Sequence, residues 1–123
     1  MNINDYAWAD SNIEGISIEF DKATIEIWNY SIDRKLSIVC SGLAGITNLC
    51  IWDDTIIESV ELKPVSEYNT EFLRSLLNAY DKDYDYGGKM LKNGLLELRV
   101  LLVNKIPFSV YCQSITVSDG NKA

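Results

Sequence analysis

Residues 45 to 62, Gly-Ile-Thr-Asn-Leu-Cys-Ile-Trp-Asp-Asp-Thr-Ile-Ile-Glu-Ser-Val-Glu-Leu, divide the chain into two parts of different character. Upstream lie three short segments in which apolar residues alternate with polar ones, the period of half-buried strands. Within the stretch, Gly42 just upstream and Gly45 at its start let the backbone bend, Trp52-Asp53-Asp54-Thr55 turns a corner, and a strand resumes at Ile56.

The upstream segments are legible residue by residue. In residues 13 to 20, Ile16, Ile18 and Phe20 point one way and Ser17 and Glu19 the other. Asp21-Lys22-Ala23 reads as a turn. Residues 24 to 30 place Ile25 and Ile27 on one face and Thr24, Glu26, Trp28 and Tyr30 on the opposite one, which is acidic and aromatic. A second turn at Ser31-Ile32-Asp33-Arg34 leads to residues 35 to 41, which carry Leu36, Ile38 and Cys40 inward. Connections this short imply antiparallel neighbours, because a parallel pair needs a crossover of about a dozen residues or more.

Downstream, residues 56 to 63 form a further strand ended by Pro64. Residues 66 to 80 change period: Phe72, Leu73, Leu76, Leu77 and Tyr80 recur at helical spacing, with Asn69 or Thr70 as cap and Glu71 in the first turn. That pattern predicts one helix laid on a sheet. Residues 95 to 103 are apolar on both faces apart from Glu97 and Arg99, as in a central strand covered on both sides. After Asn104-Lys105-Ile106-Pro107, the last strand carries Phe108, Val110 and Cys112 in one phase and Ile115 and Val117 in the other, which predicts a bulge near Gln113 and Ser114. The expectation is a single α+β domain over residues 1 to 123. It holds a mostly antiparallel sheet of about six strands, strongly curved or sandwich-like, with one main helix packed on it.

Charge is unevenly placed. The net charge is −7, and residues 1 to 62 hold three basic against eleven acidic groups, a net of −8, while residues 63 to 123 hold eight against seven. A field of that sign repels phosphate backbones and anionic lipid, so neither nucleic acid nor a membrane is an expected partner. Cys40, Cys50 and Cys112 lack CxxC spacing and have apolar neighbours, as buried reduced thiols do. Residues 1 to 10 show no basic region with an apolar core behind it, and no run is long and apolar enough for a membrane span of about 20 residues. A soluble cytoplasmic protein is the simplest expectation.

No histidine occurs in the chain. Ser-His-Asp and Cys-His nucleophiles, histidine bases and the commonest zinc sets are therefore excluded. No Walker loop or GxGxxG follows a strand, and Asp53 and Asp54, being adjacent in extended backbone, point apart and make a poor acid/base pair. The expectation is a protein that is not an enzyme and holds no cofactor. Asp81-Lys82-Asp83-Tyr84-Asp85-Tyr86-Gly87 begins as a Ca²⁺ loop does, but Tyr86 stands where Gly is needed and Lys92 where a bidentate Glu is needed. No metal site is assigned. The same loop reads as a recognition surface, since tyrosines offer rigid amphipathic area and the interleaved aspartates pair with Arg or Lys. Asp81, Asp83, Tyr84, Asp85 and Tyr86, together with Trp52, Asp53 and Asp54 at the corner, are thus the expected partner-binding residues. Trp28 and Tyr30 are either the underside of the helix layer or an exposed aromatic patch beside Glu26.

A small acidic chain with Gly45-Ile46, Ile51-Trp52-Asp53-Asp54 and Ile57-Glu58-Ser59-Val60, an Asp/Tyr loop and no catalytic set resembles the immunity proteins of bacterial contact-dependent and polymorphic toxin systems. The likeness is one of type. It implies a protein that binds one cognate toxin, often a basic nuclease, and blocks its active or substrate-binding site. A structural subunit that self-associates through a sheet face, or a Ca²⁺ or small-ligand module, are the alternatives.

Overall fold

The computed structural model describes residues 3–47, 55–65 and 94–119. Among them the chain forms eight strands: β1 (Asn12–Glu19), β2 (Lys22–Asn29), β3 (Arg34–Ser41), β4 (Gly45–Ile46), β5 (Ile57–Pro64), β6 (Leu96–Leu102), β7 (Pro107–Cys112) and β8 (Ser114–Asp119). The only helical element among the described residues is a 3-10 turn at Ile3–Asp5. The α+β expectation is therefore corrected to an all-β architecture. Two antiparallel four-stranded sheets, in the orders β1-β2-β3-β8 and β4-β7-β6-β5, replace one sheet with a main helix. The helix expected over residues 66 to 80 lies outside the described residues.

The first sheet is a meander of two hairpins. Glu19 pairs with Lys22, so the first turn is Phe20-Asp21 alone and Lys22 and Ala23 already belong to β2. Phe20 occupies the turn at φ 55, a left-handed conformation that costs an L residue about 1–2 kcal/mol. In the second hairpin Asn29 pairs with Arg34, and Asp33 takes the positive φ of 54 that Asp tolerates better than most residues.

What joins the sheets is a bend shared by two neighbouring strands. β3 continues through Gly42 into β4, and β7 continues through Gln113 into β8, so both chains leave one sheet and enter the other side by side. The Gln113 N–H donates to the carbonyls of Ser41 at 2.9 Å and Gly42 at 3.2 Å, pinning the bend. Gly42 sits at φ +66, and a Cβ there would lie 2.6 Å from Gln113 Oε1 and 2.8 Å from its Cβ. Only glycine fits that corner. The phase change at Gln113 and Ser114 is thus a switch of sheet, the device by which crossed sheets make corners. A second seam lies at the start of β1. There Asp10 N–H donates to Ile57 O at 2.8 Å, Ile57 N–H to Ser11 O at 2.8 Å and Ile13 N–H to Thr55 O at 2.9 Å.

Because strand side chains alternate, each sheet turns one apolar set inward, and one cluster results. Ile25, Ile27, Leu36, Ile38 and Cys40 from the first sheet meet Leu98, Val100, Phe108, Val110 and Cys112 from the second, all at most 1% exposed. Trp8 and Ile3 plug one end, with Trp8 Nε1–H donating to Ile3 O at 2.8 Å. Cys40 and Cys112 are buried free thiols, as the sequence predicts; Cys50 lies outside the described residues. No helix among the described residues is long and apolar enough to cross a membrane.

Candidate partner-binding face

All eight residues expected to bind a partner, Trp52, Asp53, Asp54, Asp81, Asp83, Tyr84, Asp85 and Tyr86, lie outside the described residues. The acidic and aromatic side of β2 is described, and the two sheets differ in how they present their outer faces.

On the second sheet the outer face is buried at Glu97, Ser109 and Tyr111 and exposed at Ser59, Glu61, Lys63 and Arg99. Leu95 and Tyr111 are 2% and 3% exposed, with Val65 and Ala44 packed against them. Glu97 lies among them. Its carboxylate accepts from Ser109 Oγ–H at 2.7 Å and Tyr111 Oη–H at 3.3 Å, and Lys63 Nζ stands 3.7 Å from Oε1. Thr47 Oγ1 accepts from the Ser109 backbone N–H at 2.9 Å. A buried carboxylate persists only when its lone pairs are met in this way. The set pins β5, β6 and β7 together.

On the first sheet the outer face is open. None of the outward positions on β2 and β3 (Thr24, Glu26, Trp28, Lys35, Ser37, Val39) is buried. Tyr30 is 59% exposed and meets the half-buried Trp28 edge-on, centroids 6.5 Å apart and rings at 71°; the helix of the alternative reading lies outside the described residues. Beside them the carboxylates of Glu14 and Glu26 share the face, and Glu19 stands at its far end across from Lys22. Glu26 Oε2 accepts from Ser37 Oγ–H at 2.7 Å, and Glu14 Oε1 lies 3.8 Å from Lys35 Nζ. Both contacts hold a carboxylate in place without burying it, and a pair that exposed is weak in water.

Among the described residues no group of three or more His, Cys, Asp or Glu side chains is placed to hold a metal ion. No family model matches the chain, and no curated protein matches it. The site is therefore argued from its own chemistry. A flat face with rigid rings and spaced carboxylates offers a macromolecule area and charge at once, while it encloses no small molecule. The aromatic and acidic alternation of Glu26, Trp28 and Tyr30 is the signal by which it is readable in the sequence.

Proposed function

We propose that the protein is a small acidic inhibitor that binds a cognate, basic protein toxin in the cytoplasm and neutralises it by covering its active or substrate-binding site. A nuclease is the toxin class this chemistry suits best, because the cations that hold a phosphate backbone are those that carboxylates meet. The observation that carries the reading is the open outer face of the first sheet, where Glu14 and Glu26 flank Trp28 and Tyr30. The absence of histidine from the whole chain favours binding over turnover. Self-assembly through this face is the weaker reading, since its β3 and β8 half is polar: Ser37, Ser41, Ser114, Thr116 and Ser118.

The test is to purify the tagged protein from its native host, identify what it retains, and express that partner alone and with the inhibitor. A basic partner that is toxic alone and tolerated in co-expression supports the reading. Affinity should fall about three- to tenfold for each of Glu14→Gln and Glu26→Gln, with a shallower salt dependence. A partner that is acidic or harmless, or an affinity indifferent to both substitutions and to salt, overturns it.

A further inference from the structure

Among the described residues four strands end the two sheets, and three of them are guarded. β4 is two residues long, β8 lies beside the 3-10 turn Ile3–Asp5, and β5 is shifted in register between Ile57 and Ser59 and stops at Pro64. Short, covered, bulged or proline-ended edges are the usual defences against strand addition. β1 differs. Its start is held by the Asn12 to Ile56 bridge and the Ile13 bond to Thr55, but from Gly15 to Glu19 its one strand partner among the described residues is β2. The residues along it are exposed: Ser17, Ile18 and Glu19 all face water.

The side chains of that edge are patterned. Ile16 and Ile18 stand opposite Ile25 and Ala23, whose side chains are fully buried, so they belong to the inward face. Ile18 is nonetheless 50% exposed, and Phe20 at the end of the strand is 97% exposed. The apolar face thus runs past the covering sheet and stops uncovered. On the other face Glu14 and Glu19 carry charge with no basic residue on β1 between them, though Lys35 stands 3.8 Å from Glu14 and Lys22 lies across from Glu19 on β2. Two copies pairing antiparallel about Ser17 would set Glu19 of each near Glu14 of the other, and parallel pairing would set like beside like. Both arrangements repel. A strand bearing Lys or Arg on that face meets the same carboxylates favourably.

We propose that the free edge of β1, Gly15 to Glu19 with Phe20 at its end, accepts an extended segment of a protein partner as an added strand, one whose side chains alternate apolar and basic. Its apolar side chains cover Ile16 and Ile18, and its basic ones face Glu14 and Glu19. Backbone hydrogen bonds supply the affinity and the two-residue alternation the selectivity. For the charge of the partner the proposal rests on the function proposed above; the free edge does not depend on it.

The probe is a blocked peptide, Lys-Val-Lys-Ile-Lys-Val-Lys, titrated into the isotope-labelled full chain. One control replaces Lys by Glu, and a second keeps the composition but groups the apolar residues. The expected result is saturable binding by the alternating basic peptide, with amide exchange slowed about tenfold or more at β1 beyond Gly15 and little elsewhere. Ile18→Lys and Glu19→Lys should each weaken binding about tenfold while the far-ultraviolet spectrum and melting temperature stay near those of the parent. Should Ile18→Lys fail to fold, Glu19→Lys still decides, because Glu19 is exposed. Equal binding of either control peptide, protection away from β1, absence of binding, or self-association of the chain through β1 overturns the proposal. A toxin that binds the protein but ignores both substitutions removes the edge and leaves the inhibitor reading standing; a peptide that binds when no toxic partner exists does the reverse.

Discussion

Ser109 on β7 donates its hydroxyl hydrogen to the carboxylate of Glu97 on β6 across 2.7 Å, and both side chains are buried on the outer face of the second sheet. A hydrogen bond to a charged acceptor contributes about 1.5–3 kcal/mol, and its loss leaves the carboxylate short of a partner. Ser109→Ala should therefore lower stability by about 2 kcal/mol in urea denaturation, and Glu97→Gln by less, since the amide still accepts. A Ser109→Ala midpoint equal to that of the parent would show that Tyr111 and Lys63 suffice.

Gly42 and Gly15 make a matched pair of opposite sign. At Gly42 the backbone is left-handed and an added methyl collides with Gln113, so Gly42→Ala should destabilise by about 2 kcal/mol or more. At Gly15 nothing obstructs the methyl, and Gly15→Ala should be neutral or stabilise by up to about 1 kcal/mol, because the unfolded chain loses freedom. Chemical denaturation of the two single variants checks both signs.

Cys40 and Cys112 face each other in the core. The hydrogen bond with Cys112, and then burial, hold the Cys40 thiol well above its ordinary value of 9.0; the same bond favours the thiolate of Cys112, which burial opposes. Below about pH 9 folded and unfolded chains both keep the Cys40 proton, and the stabilisation is whole. Above it the unfolded chain releases a proton the folded one retains, so stability falls by up to about 1.4 kcal/mol per pH unit. Unfolding curves from pH 8 upward should show that loss, and Cys40→Ala should flatten it. At pH 8 the native protein should leave Cys40 unalkylated by iodoacetamide until denaturant is added.

Asn29 ties the N-terminal segment to the end of β2. Fully buried, it donates from Nδ2 to Ala7 O at 3.0 Å and accepts at Oδ1 from the Ser31 N–H at 2.9 Å, closing the second hairpin. Asn29→Ala breaks both and should cost about 2–3 kcal/mol. Limited proteolysis should then cut near Tyr6 and Trp8 well before the sheets unfold. Simultaneous loss of segment and sheets would contradict that order.

At Ser11 the opposite holds. Its hydroxyl is buried at 0% exposure and has no hydrogen-bond partner, an arrangement that costs about 1 kcal/mol or more. Ser11→Ala should raise the melting temperature slightly. A fall would mean that the hydroxyl is satisfied in solution.

Alternation made β1, β2 and β3 readable, because a strand half-covered by a core shows its inward set, Ile25-Ile27 or Leu36-Ile38-Cys40, directly in the order of residues; β6 is readable instead as an apolar run. The lack of histidine and the crowding of carboxylates before residue 63 were likewise fixed by composition, and the proposed function starts from them. The helical spacing of residues 66 to 80 makes the sequence read as α+β, and no local pattern shows two sheets instead of one. A phase change at Gln113 looks the same in one dimension whether a strand bulges or crosses to another sheet. The difference rests on Gln113 bonding to Ser41 and Gly42 some 70 residues earlier, a pairing that no local pattern carries. Openness belongs to tertiary structure too: Glu26 and Glu97 are both strand carboxylates, yet one lies on an uncovered sheet and the other inside a buried polar set. Ile18 alternates like any core residue, and only the extent of the opposing sheet decided that it would be left in water.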